Sequence, residues 1–212
     1  IVAIVVVIVF IMALVQLLGM DIIPKNGNEY YALYEQEKWG VIDNKGNVII
    51  APSYAEMIII PDSTKDIFIC TYEINNTTGE YKSKALNKKN KEIFTEYEQV
   101  EALENYDKAQ NIWYENNVLK VKQNGRYGLI DFKGKKILEC EYDKIYTLKG
   151  IKESIIIEKD GKLGLVDETG RKIINTEYKD ILAVGTKKDE GYITVDSQDK
   201  YGVISYTTEQ VL

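Results

Sequence analysis

The hydrophobic pattern divides the chain in two. Residues 1–20 are apolar throughout; Gln16 is the only strongly polar side chain, and none is charged. At 1.5 Å per residue such a run reaches about 30 Å, the thickness of a bilayer's hydrocarbon core. Many of these residues are β-branched, but a single span in lipid must pair its backbone internally, which only a helix does. The pattern therefore predicts one N-terminal transmembrane helix over residues 1–20. Residues 21–30, with Pro24 and Gly27 as breakers, read as a linker. From about residue 31 the period changes to two.

In residues 151–181, Ile155-Ile156-Ile157 predicts a strand and Asp160-Gly161 a hairpin turn. Leu163–Val166 predicts a second strand, Asp167–Gly170 another turn, and Arg171–Asn175 a third strand. The same sequence of elements recurs. Lys38-Trp39-Gly40-Val41-Ile42-Asp43 leads to Gly46 and closes at Tyr54. Arg126-Tyr127-Gly128-Leu129-Ile130-Asp131 leads to Gly134 and closes at Tyr142. Lys162-Leu163-Gly164-Leu165-Val166-Asp167 leads to Gly170 and closes at Tyr178, and a shorter copy begins at Lys200-Tyr201-Gly202-Val203-Ile204. First Gly to closing Tyr is 14 positions each time (54−40, 142−128, 178−164). A degenerate unit fits between the first two if Lys84 takes the first Gly slot, Asn87 the Asp slot and Asn90 the turn Gly slot, closing at Tyr97. The spacings are then 44, 44, 36 and 38 (40→84→128→164→202). Repeats of this length bury their apolar faces against their neighbours.

The expected fold over residues 31–212 is all-β: about five short antiparallel meanders, arranged as an open solenoid or a partly closed, propeller-like ring. The last, short unit would serve as a cap. The first two units carry extra segments at 61–66, 75–79 and 104–117. The last of these reads as a short helix or loop pinned to the array by Trp113 and Tyr114.

The motif Lys38-Trp39-Gly40-Val41-Ile42-Asp43-x-x-Gly46, recurring with Tyr127, Leu163 or Tyr201 in the Trp slot, resembles the WG-repeat (KWG) family of bacterial β-repeat proteins. The resemblance spans roughly residues 31–212. It implies an exported or envelope-anchored protein, and it brings no catalytic residues with it.

Composition narrows the function classes. The formal net charge is −6, all of it after residue 20. The densest basic run, Lys84, Lys88, Lys89 and Lys91, is diluted by Asn and reads as a solvated turn. Phosphate contacts need clustered Lys and Arg, so nucleic acid is not an expected partner. There are no histidines, which removes the commonest general base and metal ligand. Cys70 and Cys140 form no metal-binding spacing and read as small buried apolar residues.

The repeated Asp43, Asp131 and Asp167 invite a calcium reading. Calcium needs about six converging oxygens, and the turns after Asp43 and Asp131 carry Lys45 and Lys133 instead of further carboxylates. Turn capping accounts for the same spacing, with Asp side chains bonding the backbone and Gly taking positive φ. The strand glycines Gly40, Gly128, Gly164 and Gly202 read as room for a neighbouring ring. The closing Tyr54, Tyr97, Tyr142 and Tyr178 read as packing between units, the sharper alternative being an aromatic ladder for a glycan or peptide. Glu139 and Glu141 alternate with apolar neighbours and should face solvent. No nucleophile elbow or phosphate loop appears. No catalytic, cofactor or metal-binding residues are assigned, and the binding residues are left unassigned.

The segment Leu17-Leu18-Gly19-Met20 lacks a lipobox Cys, and no small-residue cleavage site follows, so the expectation is an uncleaved anchor. The chain starts at Ile1 without an initiator Met, so a further N-terminal flank is expected. Residues 21–36 carry only Lys25, a flank poor in positive charge that places the body outside the cytoplasm. The expected protein is therefore a single-pass, externally displayed binding or scaffolding module for protein or polysaccharide. The alternatives are a cell-wall-acting enzyme or enzyme subunit, and a cytoplasm-facing membrane adaptor.

Overall fold

The computed structural model describes residues 29–206. The predicted helix over 1–20 and most of the linker lie outside the described residues. Among those described, no helix is long and apolar enough to cross a membrane.

Among the described residues, seventeen strands form five small antiparallel sheets, taken in chain order. The first holds β1 (Tyr30–Glu35), β2 (Lys38–Asp43) and β3 (Val48–Tyr54). The second holds β4 (Phe68–Tyr72), β5 (Lys82–Leu86) and β6 (Glu92–Ile93). The third holds β7 (Gln99–Tyr106), β8 (Ile112–Gln123), β9 (Arg126–Asp131) and β10 (Lys136–Tyr142). The fourth holds β11 (Lys144–Thr147), β12 (Ile155–Lys159), β13 (Lys162–Val166) and β14 (Lys172–Tyr178). The fifth holds β15 (Asp180–Ala183), β16 (Tyr192–Val195) and β17 (Tyr201–Ile204).

The degenerate second unit falls in the expected register. Lys84 pairs with Cys70 just as Gly164 pairs with Ile157. Asn87 Oδ1 accepts from the Lys89 and Lys91 amides, and Asn90 takes φ 55° in place of the usual glycine. Strands β7, β11 and β15 were not expected: the chain leaves each closing Tyr and adds one more strand to the following sheet.

One rule organises the packing. The residue after the first Gly slot points toward the next sheet, and the residue after that points back toward the previous one. Val41 packs in the cluster shared by the first and second sheets, Ala85 in that of the second and third, Leu129 in that of the third and fourth, and Leu165 in that of the fourth and fifth. Leu86, Ile130, Val166 and Ile204 point backward into the same four clusters in turn. Interior strands are therefore apolar on both faces, which is why Ile155, Ile156 and Ile157 are all buried. Each cluster joins consecutive sheets, and none joins the first to the fifth. Among the described residues the sheets thus pack in consecutive pairs along the chain.

The closing tyrosines are distributed one per interface: Tyr54, Tyr97, Tyr142 and Tyr178 each belong to a different one of the four clusters. The reading of the first glycines needs correction. A Cβ on Gly128 would lie 2.7 Å from the Leu138 carbonyl oxygen, and one on Gly164 would lie 3.0 Å from that of Ile174. At Gly40 the Ile50 carbonyl intrudes in the same way. The close neighbour is the backbone of a bulged third strand, not a ring: Tyr127 pairs with Tyr142 and Leu129 with Leu138, so extra residues on β10 stand opposite Gly128.

Among the described residues, the far face of the last unit leaves Leu182 45% and Val203 39% exposed.

Gly128→Ala should destabilise the protein by about 1–3 kcal/mol, because β10's backbone has to move away from the new methyl. Gly202→Ala, whose Cβ would meet only the Thr194 hydroxyl at 3.0 Å, should be close to neutral. Urea denaturation of the two variants beside the parent checks the contrast.

Candidate functional site

The repeated aspartates serve their turns. Asp43 Oδ1 accepts from the Lys45 and Asn47 amides at 2.9 Å each. Asp131 Oδ1 accepts from the Lys133 and Lys135 amides at 2.8 Å each, and Asp167 Oδ1 from those of Thr169 and Arg171 at 3.0 Å each. Gly46, Gly134 and Gly170 close these turns at φ 82–85°. Asp107 and Asp196 cap their own turns identically. Among the described residues no cluster of His, Cys, Asp or Glu is arranged to hold a metal ion. Glu139 and Glu141 face solvent and pair with Lys136 and Lys159. Both cysteines are free and lie in different clusters; burial pushes the Cys70 thiol up to about 12, so it is inert at neutral pH.

The inserted segments behave differently from one another. Segment 61–66 is bound to β1: the Tyr30 amide donates to the Ser63 carbonyl at 2.8 Å, and the Tyr30 hydroxyl bonds Asp66. Segment 75–79 is a turn closed by Asn75 Oδ1 accepting from Thr77 and Thr78. Segment 104–117 is neither helix nor loop. It extends β7 and β8 as a hairpin ending at the Asp107–Asn111 turn, because Glu104, Asn105 and Tyr106 pair across to Tyr114, Trp113 and Ile112.

A buried network ties this hairpin to the next unit. Asn105 Nδ2 donates to the Leu148 and Ile151 carbonyls at 3.2 and 3.0 Å, and Asn105 Oδ1 accepts from the Gly150 amide at 2.8 Å. Asn105 Nδ2 also donates to Glu115 Oε1 at 3.2 Å, and Glu115 Oε2 accepts from the Glu153 amide at 2.8 Å. Both side chains are buried and satisfied, so this is a structural clamp.

The functional candidate is a cleft of about 400 Å³ that bends round the edge strand β7. Ile69, Thr71, Tyr81 and Ser83 line it from the second sheet, Glu101, Leu103, Tyr114 and Lys120 from the third, and Ile145 and Tyr146 from the fourth. The repeat register explains the space. Ser83 precedes Lys84 and so occupies the slot held elsewhere by Trp39, Tyr127, Leu163 and Tyr201. A large side chain is missing from the interface between the second and third sheets, and the gap opens to solvent beside β7.

The cleft is chemically distinct from the clusters around it. Ser83 is 3% exposed, and its buried Oγ has no hydrogen-bond partner. Glu101, 8% exposed, forms an ion pair with Lys120, whose ammonium sits 5.3 Å from the Tyr127 ring centre. Burial and the neighbouring Glu101, to which its hydroxyl donates, push Tyr81 well above the usual phenol range. Burial also raises Tyr114 and Tyr146. All three stay neutral donors at physiological pH. The cleft thus combines phenolic and aliphatic hydroxyls, aromatic rings, and a cation neutralised by its own carboxylate. The sequence signal for it was the second unit's departure from the motif.

The family model described as WG containing repeat matches residues 39–58 and 127–162. These two stretches, 56 of the 212 residues, are similar to WG-containing repeats. The matched stretches cover most of β2 and all of β3 in the first sheet and run from β9 into the β12–β13 turn in the third and fourth. They hold the glycine, aspartate and tyrosine slots of the first and third units (Gly40, Asp43 and Tyr54; Gly128, Asp131 and Tyr142). No curated protein matches the chain. The cleft lies outside the matched stretches for every lining residue except Ile145, Tyr146 and Thr147. The matched stretches belong to the scaffold, and the divergent second unit supplies much of the candidate site.

The capping aspartates set an acid limit. In Asp43, the bond from the Asn47 side chain holds the carboxyl below its ordinary 3.8. In Asp196 the Lys200 and Gln198 amides do the same. In Asp167 burial pushes upward, but the Thr169 and Arg171 bonds outweigh it. A carboxyl depressed in the folded state stabilises the fold above its unfolded value and loses that contribution as pH falls through the folded value. Stability should therefore be flat through neutral pH and fall below about pH 4. In Asp43→Asn the decline should be shallower; urea midpoints between pH 2 and 7 test it.

Proposed function

We propose that this WG-repeat protein is a membrane-anchored, externally displayed binding module without catalytic activity, and that its ligand is a neutral saccharide held in the β7 cleft. The observation that carries this reading is the unpartnered Ser83 hydroxyl in a cleft rimmed by Tyr81, Tyr114 and Tyr146. A buried hydroxyl without a partner costs about 1–3 kcal/mol, which a ligand that bonds to it returns on binding. Sugar hydroxyls both donate and accept, and the apolar faces of sugar rings stack on tyrosine. The Lys120 charge is met by Glu101, so the cleft offers no free cation to an anionic ligand. The apolar run at 1–20 supports the anchor, and the downstream flank with Lys25 alone supports external display.

Ser83→Leu restores a large apolar side chain to the slot. It should raise stability by about 1 kcal/mol, because it fills space and removes an unsatisfied hydroxyl. It should also abolish binding. Full-length parent and variant, in detergent micelles, would be titrated with neutral oligosaccharides from bacterial wall polymers and plant polysaccharides. Binding by the parent and its loss in Ser83→Leu are the expected results. If the filled variant binds equally, the cleft is not the site. If no neutral saccharide binds the parent, the ligand class is wrong.

A further inference from the structure

We propose that the two ends of the array are complementary halves of one interface, and that a second copy of this chain docks its first sheet against the exposed face of the fifth, extending the row head to tail. The argument is independent of the saccharide reading and rests on the packing rule. Four times within the chain, the forward slot of one sheet (Val41, Ala85, Leu129, Leu165) packs in the same cluster as the backward slot of the next (Leu86, Ile130, Val166, Ile204). Among the described residues, one forward slot and one backward slot remain without an opposite number: Val203 in the fifth sheet and Ile42 in the first.

Each remaining slot sits in an apolar patch. On the fifth sheet, Val203 pairs with Ile193, and Ile193 pairs with Leu182, so the three side chains share one face. The equivalent fourth-sheet residues are Leu165, Ile156 and Tyr146, and the first two of these are buried against the fifth sheet. On the first sheet, Ile42 pairs with both Tyr31 and Val48, which places those three on the outward face. Val48 is 55% and Tyr31 49% exposed. The array buries the fourth-sheet counterparts of Val203 and Ile193, and it buries the counterparts of Ile42 and Tyr31 three times over (Leu86 and Phe68, Ile130 and Leu119, Val166 and Ile155). Val48 and Leu182 stand at rim positions whose counterparts, such as Lys172 and Tyr146, stay exposed. A forward face meeting a backward face reproduces an interface the chain already makes four times, whereas two like faces would make a contact found nowhere in it. The resulting association is heterologous and open-ended.

Site-directed cross-linking of the full chain in detergent micelles tests this. One variant carries Val48→Cys on the backward face and another Leu182→Cys on the forward face; both sites are already exposed, so folding is little disturbed. Each variant alone, and a one-to-one mixture, would be treated with a short bifunctional maleimide, with the parent measuring background from Cys70 and Cys140. Head-to-tail docking predicts a dimer band in the mixture and only background in either variant alone. Adding Val203→Lys to the Leu182→Cys chain should lower the cross-linked fraction about tenfold, through burial of an unpaired ammonium. Circular dichroism would confirm that this chain remains folded. The proposal is overturned by no product above background, by equal products from either variant alone, or by a yield that Val203→Lys leaves unchanged.

Discussion

The interior sheets of this protein are apolar on both faces, so none can bury its side chains without a neighbour on each side. That constraint fixes much of the rest. It makes the runs Phe68-Ile69-Cys70 and Ile155-Ile156-Ile157 continuous instead of alternating. It assigns the two residues after each first-Gly slot to opposite interfaces. It also places one closing tyrosine in each interface. In a row built this way, stability is close to a sum of small unit terms and larger nearest-neighbour terms. A defect at one interface is felt chiefly by the two sheets that share it.

The scaffold was largely legible in the sequence because its determinants are local. An Asp whose carboxylate reaches the amides two and four residues on, and a Gly or Asn at positive φ three residues on, specify a turn without help from distant residues. The degenerate second unit was readable for the same reason: Asn87 and Asn90 do in that turn what Asp and Gly do in the others. The strand pattern does not choose between an open row and a ring, since both satisfy it. The third strand's bulge was also hidden. Nothing in the spacing from Gly128 to Tyr142 shows that the Leu138 carbonyl presses on the glycine, so a ring was the natural guess. The extra strands β7, β11 and β15 follow their closing tyrosines without a turn signal of their own.

The candidate site was visible only as a departure. Attention fell on residues that recur, yet recurrence here marks packing, and chemistry enters where one copy breaks the pattern. Ser83 in a slot otherwise held by Trp, Tyr or Leu removes volume from a single interface and leaves a polar group inside it. The neighbouring Glu101 and Lys120 come from an added strand and its partner, so no motif links them to Ser83. Only the fold brings residues 69–83, 101–120 and 145–146 together at one edge strand.

The Asn105 and Glu115 clamp has a different significance for a chain whose sheets touch only in sequence. Elsewhere, adjoining sheets share mainly apolar contact, which loosens by degrees, with a single buried bond between the Ser154 and Tyr192 hydroxyls added between the fourth and fifth. Between the third and fourth units a buried polar network must be intact or broken as a whole, since leaving Asn105 half-bonded is costly. Those two units are thereby welded into one cooperative block in the middle of the row, and the outer units can fray from it in turn without the centre opening.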